Sequence, residues 1–194
     1  MVQSDAMLTP QIEAALSLQQ FFEPRGWKWC VIGGLAVQRW GQPRQTLDAD
    51  VALLTGFGSE ESYVDELLSQ FQPRHQTARE FALTRRVLLA YSGSGVPIDI
   101  ALSGLPFEER VIERSSLWQP AVDTTLRTCS AEDLIVYKAF AARGVDWFDI
   151  EGVLMRQGER LDIQLILREI APLAELKEEP EIVERLRAMI KQHK

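Results

Sequence analysis

The sequence predicts an α+β protein. Strand and helix patterns alternate from the N-terminus to about residue 129, and helix patterns alone follow to the end of the chain. Short apolar runs rich in β-branched and aromatic residues mark the strands, whereas apolar residues at three- and four-residue spacing mark the helices. We therefore expect an α/β core over residues 1–129 and a C-terminal helical part over residues 130–194 that packs on it.

Local signals predict the individual elements. Thr9 and Pro10 are typical of a helix start, because threonine caps the first turn and proline fits the first helical position. Ser130-Ala-Glu-Asp133 resembles a capping box, and Ser92-Gly-Ser-Gly95 predicts a hairpin with a four-residue loop. Strands are predicted at 27–32, 46–54, 85–91, 96–102 and 121–128. Helices are predicted at 10–22, 35–40, 60–71, 107–115, 131–142, 146–156, 161–174 and 181–192.

Composition narrows the function classes. The chain has 194 residues, 46% of them hydrophobic, and a net charge of −7, which does not favour a polyanion-binding surface. Cys30 and Cys129 both lie in apolar segments, which predicts buried thiols in a reducing compartment and neither a disulfide nor a zinc site. The N-terminal MVQSDAMLTP lacks the features of a signal peptide, and no apolar run approaches the ~18 residues of a membrane span. We expect a cytoplasmic protein that does not enter membranes.

Two carboxylates interrupt an apolar run at Thr46-Leu-Asp-Ala-Asp-Val51. In a strand, Asp48 and Asp50 project from one face with Cα atoms roughly 6.6 Å apart, while Leu47 faces the core. Such a pair can hold Mg²⁺, which prefers hard oxygen ligands. The alternative is an edge strand with a solvated polar face.

Neighbouring residues favour the metal site. Gly33 and Gly34 end a strand and open a helix, where backbone N–H groups suit an anion such as a triphosphate, although a glycine pair also makes ordinary turns. Asp99 is a single carboxylate in a later apolar strand, and on an adjacent strand it completes a cluster with Asp48 and Asp50. Two metals about 4 Å apart on such a cluster clamp an in-line phosphoryl displacement. Alternatively, Asp99 faces water at a strand end.

Arg44 and Thr46 precede the aspartate pair. An arginine can bind a phosphate through two N–H groups, and a threonine hydroxyl can donate a further hydrogen bond. Both are therefore candidate nucleotide-binding residues, with ordinary loop residues as the alternative.

The motif Gly-Gly-x13-Asp-x-Asp, followed by a lone aspartate on a later strand, resembles the nucleotidyltransferase superfamily with a DNA-polymerase-β-like fold. The matching residues are Gly33, Gly34, Asp48, Asp50 and Asp99. The segment GGLAVQRWGQPRQTLDADVALL is most similar to small bacterial nucleotidyltransferases grouped with the abortive-infection (AbiEii-type) toxins. Their C-terminal motif is matched by Glu132-Asp-Leu-Ile135, Lys138, Ala142-Arg143, Asp146 and Asp149. The resemblance covers roughly residues 28–155.

The resemblance implies a mixed β-sheet flanked by helices, a divalent-cation site for Mg²⁺ or Mn²⁺ on the three aspartates, and an NTP such as ATP as donor. It implies transfer of a nucleotidyl group with release of pyrophosphate, to an acceptor that is often tRNA or a protein in the toxin-like relatives. Lys138 and Asp146 then belong to the active site. Many active members have Gly-Ser where this chain has Gly33-Gly34, so a hydroxyl that could touch a phosphate is missing.

Three residues of the C-terminal motif each have two possible roles. Lys138 either supplies positive charge to a triphosphate or covers the helix flank with its aliphatic chain. Gly144 is predicted to break the helix, after which Asp146 is either catalytic or the N-cap of the next helix, with Asp149 at its third position. Arg143 either binds a phosphate or pairs with Asp146.

The first functional hypothesis is an enzyme that moves a nucleotidyl group from an NTP to tRNA, a protein or a small molecule. Asp48, Asp50, Asp99 and Lys138 are its candidate catalytic residues, and Asp99 is also the candidate base on the acceptor hydroxyl. The alternative is a catalytically silent nucleotide-binding module or a toxin–antitoxin component. A third hypothesis is a scaffold whose C-terminal helices bind a partner protein.

Overall fold

The structure, a computed structural model, describes residues 8–193 and confirms the predicted α+β fold. The prediction that no signal peptide is present rests partly on residues 1–7, which lie outside the described residues. The strands are β1 Trp29–Val31, β2 Ala49–Leu54, β3 Gln72–Pro73, β4 Val87–Tyr91, β5 Pro97–Ser103, β6 Ser116–Ala121 and β7 Thr124–Thr128. The helices are α1 Pro10–Phe22, α2 Gly33–Trp40, α3 Glu60–Gln70, α4 Ala78–Arg85, α5 Pro106–Arg114, α6 Ala131–Ala141, α7 Gly144–Gln157, α8 Ile163–Leu176 and α9 Glu181–Gln192. None of these helices is long and apolar enough to cross a membrane.

The chain divides into two compact units. The first unit runs to Leu35 and resumes over Gln45–Thr128, and the second comprises Ala36–Arg44 and the chain from Cys129 onward. The short segment Ala36–Arg44 thus groups with the C-terminal helices, although it is distant from them in sequence. The division of the chain into domains 1–129 and 130–194 stays a prediction.

A seven-stranded mixed sheet forms the first unit, with the strand order β3-β4-β5-β2-β1-β7-β6. The β1–β2, β3–β4, β4–β5 and β6–β7 pairs are antiparallel, whereas β2 is parallel to β5 and β1 is parallel to β7. Strands β2 and β5 occupy the middle of the sheet. Residues on these two strands are therefore held by hydrogen bonds on both sides.

Apolar residues that alternate along the strands build the core of this unit. On β5, Ile98 and Ile100 are fully buried while Asp99 between them is half-buried, as expected when successive side chains point to opposite faces. Helix α1 adds Leu18 and Phe22 to the same cluster. Its start is as predicted, since the Thr9 hydroxyl accepts a hydrogen bond from the Ile12 N–H and Pro10 is the first helical residue.

Helices alone build the second unit beyond residue 129. Ser130 caps α6 by accepting from the Asp133 N–H at 3.0 Å, as the capping-box-like sequence predicts. The buried apolar residues of the unit's interior include Ile135, Ala139, Ile150, Val153, Ile166, Ile170, Leu186 and Ile190. Both cysteines are buried, as expected, Cys30 in the first unit and Cys129 in the second.

Three elements are not predicted by the sequence. Helix α4 is short and polar and buries only Ala78 and Ala82, so its apolar period is weak. Strand β3 has two residues, and β6 contains Pro120, which is tolerated because β6 is an edge strand. The strand predicted at 121–128 is in fact a turn followed by β7, because Asp123 has a positive φ of 55°.

Candidate functional site

Three aspartate carboxylates come together in the first unit. Asp50 on β2 and Asp99 on β5 are direct partners in the parallel register of these two central strands. Asp48 immediately precedes β2. One carboxylate oxygen from each residue lies within 4.8 Å of the other two, and all three residues are half-buried. Because β2 lies between β5 and β1, the alternative of an edge strand with a solvated polar face is wrong.

A local hydrogen bond fixes Asp48. Strand β2 begins at Ala49, so the prediction that Asp48 is itself a strand residue is wrong. The buried Thr46 hydroxyl donates to Asp48 Oδ1 at 2.8 Å, a short-range side-chain bond typical of turns. Leu47, which was expected to enter the core, is 72% exposed. The turn thus orients Asp48 and releases Leu47 to solvent.

Gly33 leaves room for the Asp50 carboxylate. Its φ is +58°, a left-handed conformation that favours glycine, and a Cβ built on it would lie 1.9 Å from Asp50 Oδ2. The Gly34 N–H donates to the same oxygen at 3.3 Å. The start of α2 therefore contacts the carboxylate cluster, while the binding of a phosphate by Gly33 and Gly34 stays a prediction.

Gly34 leaves room for Thr46. A Cβ on Gly34 would lie 2.3 Å from Thr46 Oγ1 and 2.7 Å from Thr46 Cβ. A serine at position 34 would therefore overlap the threonine that orients Asp48. The threonine at position 46 fits only when residue 34 is a glycine. The Thr46 hydroxyl lies beside position 34, although residue 34 itself carries no hydroxyl.

Arg74, which the sequence does not point to, lies against the third carboxylate. Its Nη1 donates to Asp99 Oδ1 at 2.5 Å, and the two side chains are 31% and 29% exposed. Burial raises the pKa of the Asp99 carboxyl, the positive charge of Arg74 opposes that rise, and the negative charge of Asp48 adds to it. The net effect is a raised pKa, so Asp99 is a stronger base than an exposed aspartate.

The second unit contains a separate network of buried charges. Lys138 Nζ on α6 lies 2.9 Å from Asp146 Oδ1 and 2.9 Å from Asp149 Oδ2, both on α7. Arg44 donates to both oxygens of Asp149, at 2.7 and 2.8 Å. Arg143 Nε donates to Asp146 Oδ2 at 2.7 Å. Lys138, Asp146 and Asp149 are all buried, so these pairs satisfy charges that would be costly to leave alone.

The network corrects three predictions on this segment. Lys138 does not cover the helix flank, because its ammonium group is buried between two carboxylates. The helix break falls at Ala142, with φ of 57°, and Gly144 is the first residue of α7. Asp146 is therefore the third residue of α7, where its carboxylate accepts from the N–H of the N-cap Arg143, and Asp149 is not at the third position. Arg143 pairs with Asp146, while the binding of a phosphate by Arg143 stays a prediction.

Solved structures show what this fold is. The sequence matches no protein-family model and no curated protein. The antigenic nucleotidyltransferase-like protein from Paracoccidioides brasiliensis superposes with a TM-score of 0.51 at 14% identity, over 93% of this chain and 94% of the other. The fold is that of a nucleotidyltransferase-like protein.

Two antibiotic-modifying enzymes superpose less closely on this nucleotidyltransferase-like fold. The lincosamide antibiotic adenylyltransferase LnuA has a TM-score of 0.47 at 13% identity, over 75% of this chain and 96% of the other. The enzyme ANT(2")-Ia in complex with adenylyl-2"-tobramycin has a TM-score of 0.47 at 15% identity, over 95% of this chain and 98% of the other. At these identities the likeness concerns the fold, and membership of the AbiEii-type group stays a prediction.

The donor set of the nucleotidyltransferase-like unit fits a divalent cation. Three carboxylates offer hard oxygen ligands within 4.8 Å of one another, which suits Mg²⁺ or Mn²⁺ and not a soft metal. Gly33 contributes to the fit, because any side chain there would displace the Asp50 carboxylate. Asp48, Asp50 and Asp99 are thus the residues that could hold the cation.

The charge network predicts acid sensitivity. Burial raises the pKa of both Asp146 and Asp149, but hydrogen bonds from Arg143 and Lys138 to the former, and from Arg44 and Lys138 to the latter, outweigh it and leave both pKa values lowered. Their stabilising contribution is therefore complete above the unfolded pKa of about 4 and is lost as the pH falls through the lowered folded values. We expect the urea midpoint to fall between about pH 5 and pH 2.

The variant Asp149→Asn tests the source of this sensitivity. It should be less stable at pH 7 and should depend less on pH than the wild type in the acidic range. The control is Asp65→Asn, which removes a carboxylate that pairs with Arg79 at the surface, and it should change neither property appreciably. An acid profile of Asp149→Asn that parallels the wild type would contradict the assignment.

Proposed function

We propose that the protein is a metal-dependent nucleotidyltransferase that moves a nucleotidyl group from an NTP to an acceptor. The observation that carries the proposal is the meeting of three carboxylates in a nucleotidyltransferase-like fold, with Asp50 and Asp99 on adjacent central strands and Asp48 immediately before β2. The residues are half-buried, so the carboxylates are held in place and still reach solvent, where a nucleotide would enter.

Asp48, Asp50 and Asp99 would hold Mg²⁺ or Mn²⁺ as ligands. A bound divalent cation neutralises the carboxylates and supplies positive charge to the triphosphate and the departing pyrophosphate. Thr46 keeps Asp48 in orientation through its hydroxyl, and Gly33 keeps the space that Asp50 occupies.

Asp99 is the proposed base. The acceptor hydroxyl oxygen forms a bond to the α-phosphorus of the NTP while the bond from that phosphorus to the pyrophosphate oxygen breaks. The hydroxyl proton passes to the Asp99 carboxylate, and the pyrophosphate leaves with the bonding electron pair. The acceptor is tRNA, a protein or a small molecule.

The second unit is proposed to bind nucleotide phosphates through Arg44, Lys138 and Arg143, with Asp146 as the partner of Lys138 and Arg143. The network supports this proposal because it brings three cationic side chains together. Arg143 is the most available of the three, since its side chain is 71% exposed. Removal of Arg143 should then weaken NTP binding without unfolding the protein.

The carboxylates are tested by nucleotide-dependent thermal stability. ATP, GTP, CTP and UTP are titrated with and without Mg²⁺ on the wild type and on Asp48→Asn/Asp50→Asn. A nucleotide at about 100 times its Kd adds roughly 2.7 kcal/mol of stability, which corresponds to a Tm shift of a few degrees. We expect a Mg²⁺-dependent shift in the wild type that the double variant loses.

The matched control for the double variant is Asp65→Asn, which removes a surface carboxylate on α3 and should keep the full shift. A shift that persists in Asp48→Asn/Asp50→Asn, or no shift with any nucleotide, would contradict the proposal. A shift without product from any acceptor would instead favour the silent nucleotide-binding module or the toxin–antitoxin component. A stable complex with another protein and no nucleotide binding would favour the scaffold.

A further inference from the structure

Arg74 belongs to the same row of the sheet as the carboxylate cluster. The Arg74 N–H donates to the Leu89 carbonyl at 3.1 Å, next to the β3–β4 pairing of Pro73 with Ala90. Leu89 on β4 is the register partner of Asp99 on β5, and Asp99 is the register partner of Asp50 on β2. The backbone pairing of four neighbouring strands therefore places the guanidinium beside Asp99.

Arg74 forms an ion pair with one of the three carboxylates, that of Asp99. Asp48, Asp50 and Asp99 together carry up to three negative charges within 4.8 Å, and Arg74 contacts only Asp99, through Oδ1. The Thr46 hydroxyl donates to Asp48, and the Gly34 N–H donates to Asp50. Asp99 is thus the carboxylate at which a second cation would have to compete with a positive charge that the protein itself provides.

The ion pair between Arg74 and Asp99 is partly exposed and can break and form again. Both side chains are about 30% exposed, so each charge keeps access to water when the contact breaks. This differs from the Lys138 network, in which both carboxylates have side chains that are at most 1% exposed. A guanidinium on a flexible stem can swing away from Asp99 while the β-strands stay in place.

We propose that Arg74 is an internal countercation that competes with the divalent cation for Asp99. The inference rests on the proposed metal site at Asp48, Asp50 and Asp99. Arg74 bound to Asp99 excludes a cation from the third carboxylate and leaves Asp48 and Asp50 to bind the first one. Occupancy of Asp99 by a cation requires the guanidinium to leave.

Mn²⁺ binding without nucleotide tests the exchange, because free Mn²⁺ is counted by its electron paramagnetic resonance signal and no acceptor is needed. The variants are Arg74→Leu, which removes the charge at similar bulk, and Arg79→Leu as control. Arg79 is also in the first unit, but it pairs with Glu61 and Asp65 on α3. We expect Arg74→Leu to bind Mn²⁺ roughly tenfold more tightly, or to bind a second ion, and Arg79→Leu to match the wild type.

The background Asp99→Asn separates exchange from long-range attraction. If Arg74 acts by occupying Asp99, the gain from Arg74→Leu disappears in Asp99→Asn, whereas a purely through-space effect would persist there. An unchanged affinity in Arg74→Leu, or an equal gain in both backgrounds, would overturn the inference. Arg74→Gln repeats the test if the leucine variant does not fold, as judged by circular dichroism.

A different set of results would contradict the proposed metal site itself. If Mn²⁺ binding is absent in the wild type, or survives in Asp48→Asn/Asp50→Asn, the site itself is wrong and Arg74 has nothing to compete with. If binding depends on Asp48 and Asp50 but ignores Arg74, only the exchange is wrong.

Discussion

Replacement of Lys138 by methionine is expected to lower the free energy of unfolding by roughly 3–5 kcal/mol. The substitution removes the ammonium group and keeps a side chain of similar length. Asp146 and Asp149 would then lose a partner 2.9 Å away while their side chains remain at most 1% exposed. Each carboxylate keeps an arginine partner, Arg143 for Asp146 and Arg44 for Asp149. Each nevertheless loses a hydrogen bond from a charged donor in a buried position, and such a bond contributes about 1.5–3 kcal/mol.

Urea denaturation measures the effect. The matched control is Lys191→Met, the same substitution at an exposed position on α9, which should stay within about 0.5 kcal/mol of the wild type. Adding Asp146→Asn to Lys138→Met should recover part of the loss, because one buried charge is then removed. A fully stable Lys138→Met would mean that the network does not support the fold.

Substitution of Gly34 by serine is expected to destabilise the protein by roughly 2–4 kcal/mol. The new Cβ would overlap Thr46, whose Oγ1 and Cβ lie 2.3 and 2.7 Å from it. Thr46 is buried and hydrogen-bonded to Asp48, so it cannot yield without moving the carboxylate. A serine at position 34 should therefore weaken this protein.

A double-variant series identifies the cause through thermal and urea unfolding. Thr46→Gly removes both overlapping atoms and should largely suppress the added cost of Gly34→Ser, whereas Thr46→Ala keeps Cβ and should suppress only part of it. The control is Gly93→Ser, at an exposed turn glycine with no atom within 4 Å of the new Cβ, and it should be nearly neutral. An equal cost of Gly34→Ser in all three Thr46 backgrounds would contradict the overlap.

The aspartates are visible in the sequence because each is anomalous where it stands. A carboxylate inside an apolar strand needs an explanation, and Asp50 and Asp99 have one in the register that pairs them. The helix starts at Pro10 and Ala131 are equally visible, since the capping residues are local signals. These features require only the order of residues along one segment.

The remaining features depend on distances between segments. Arg74 follows a two-residue strand in a polar stretch, and only the pairing of β3 with β4 brings it towards Asp99. The exclusion of a side chain at position 34 depends on Thr46, whose Oγ1 would lie 2.3 Å from a Cβ built there. Lys138 contacts Asp146 and Asp149 because the chain turns at Ala142, which adopts a conformation that its identity does not suggest.

The register of β5 positions the core and the candidate site at the same time, because Asp99 stands between the buried Ile98 and Ile100. A slip of β5 by one residue would turn Asp99 inward and two fully buried isoleucines outward, so the hydrophobic effect protects the position of the carboxylate. The loop at residues 92–96 that joins β4 to β5 is constrained as well, because Ser92 and Val96 are buried and Gly95 has a positive φ of 81°. A change in this loop that shifted the register of β5 would therefore disturb the site and the core together.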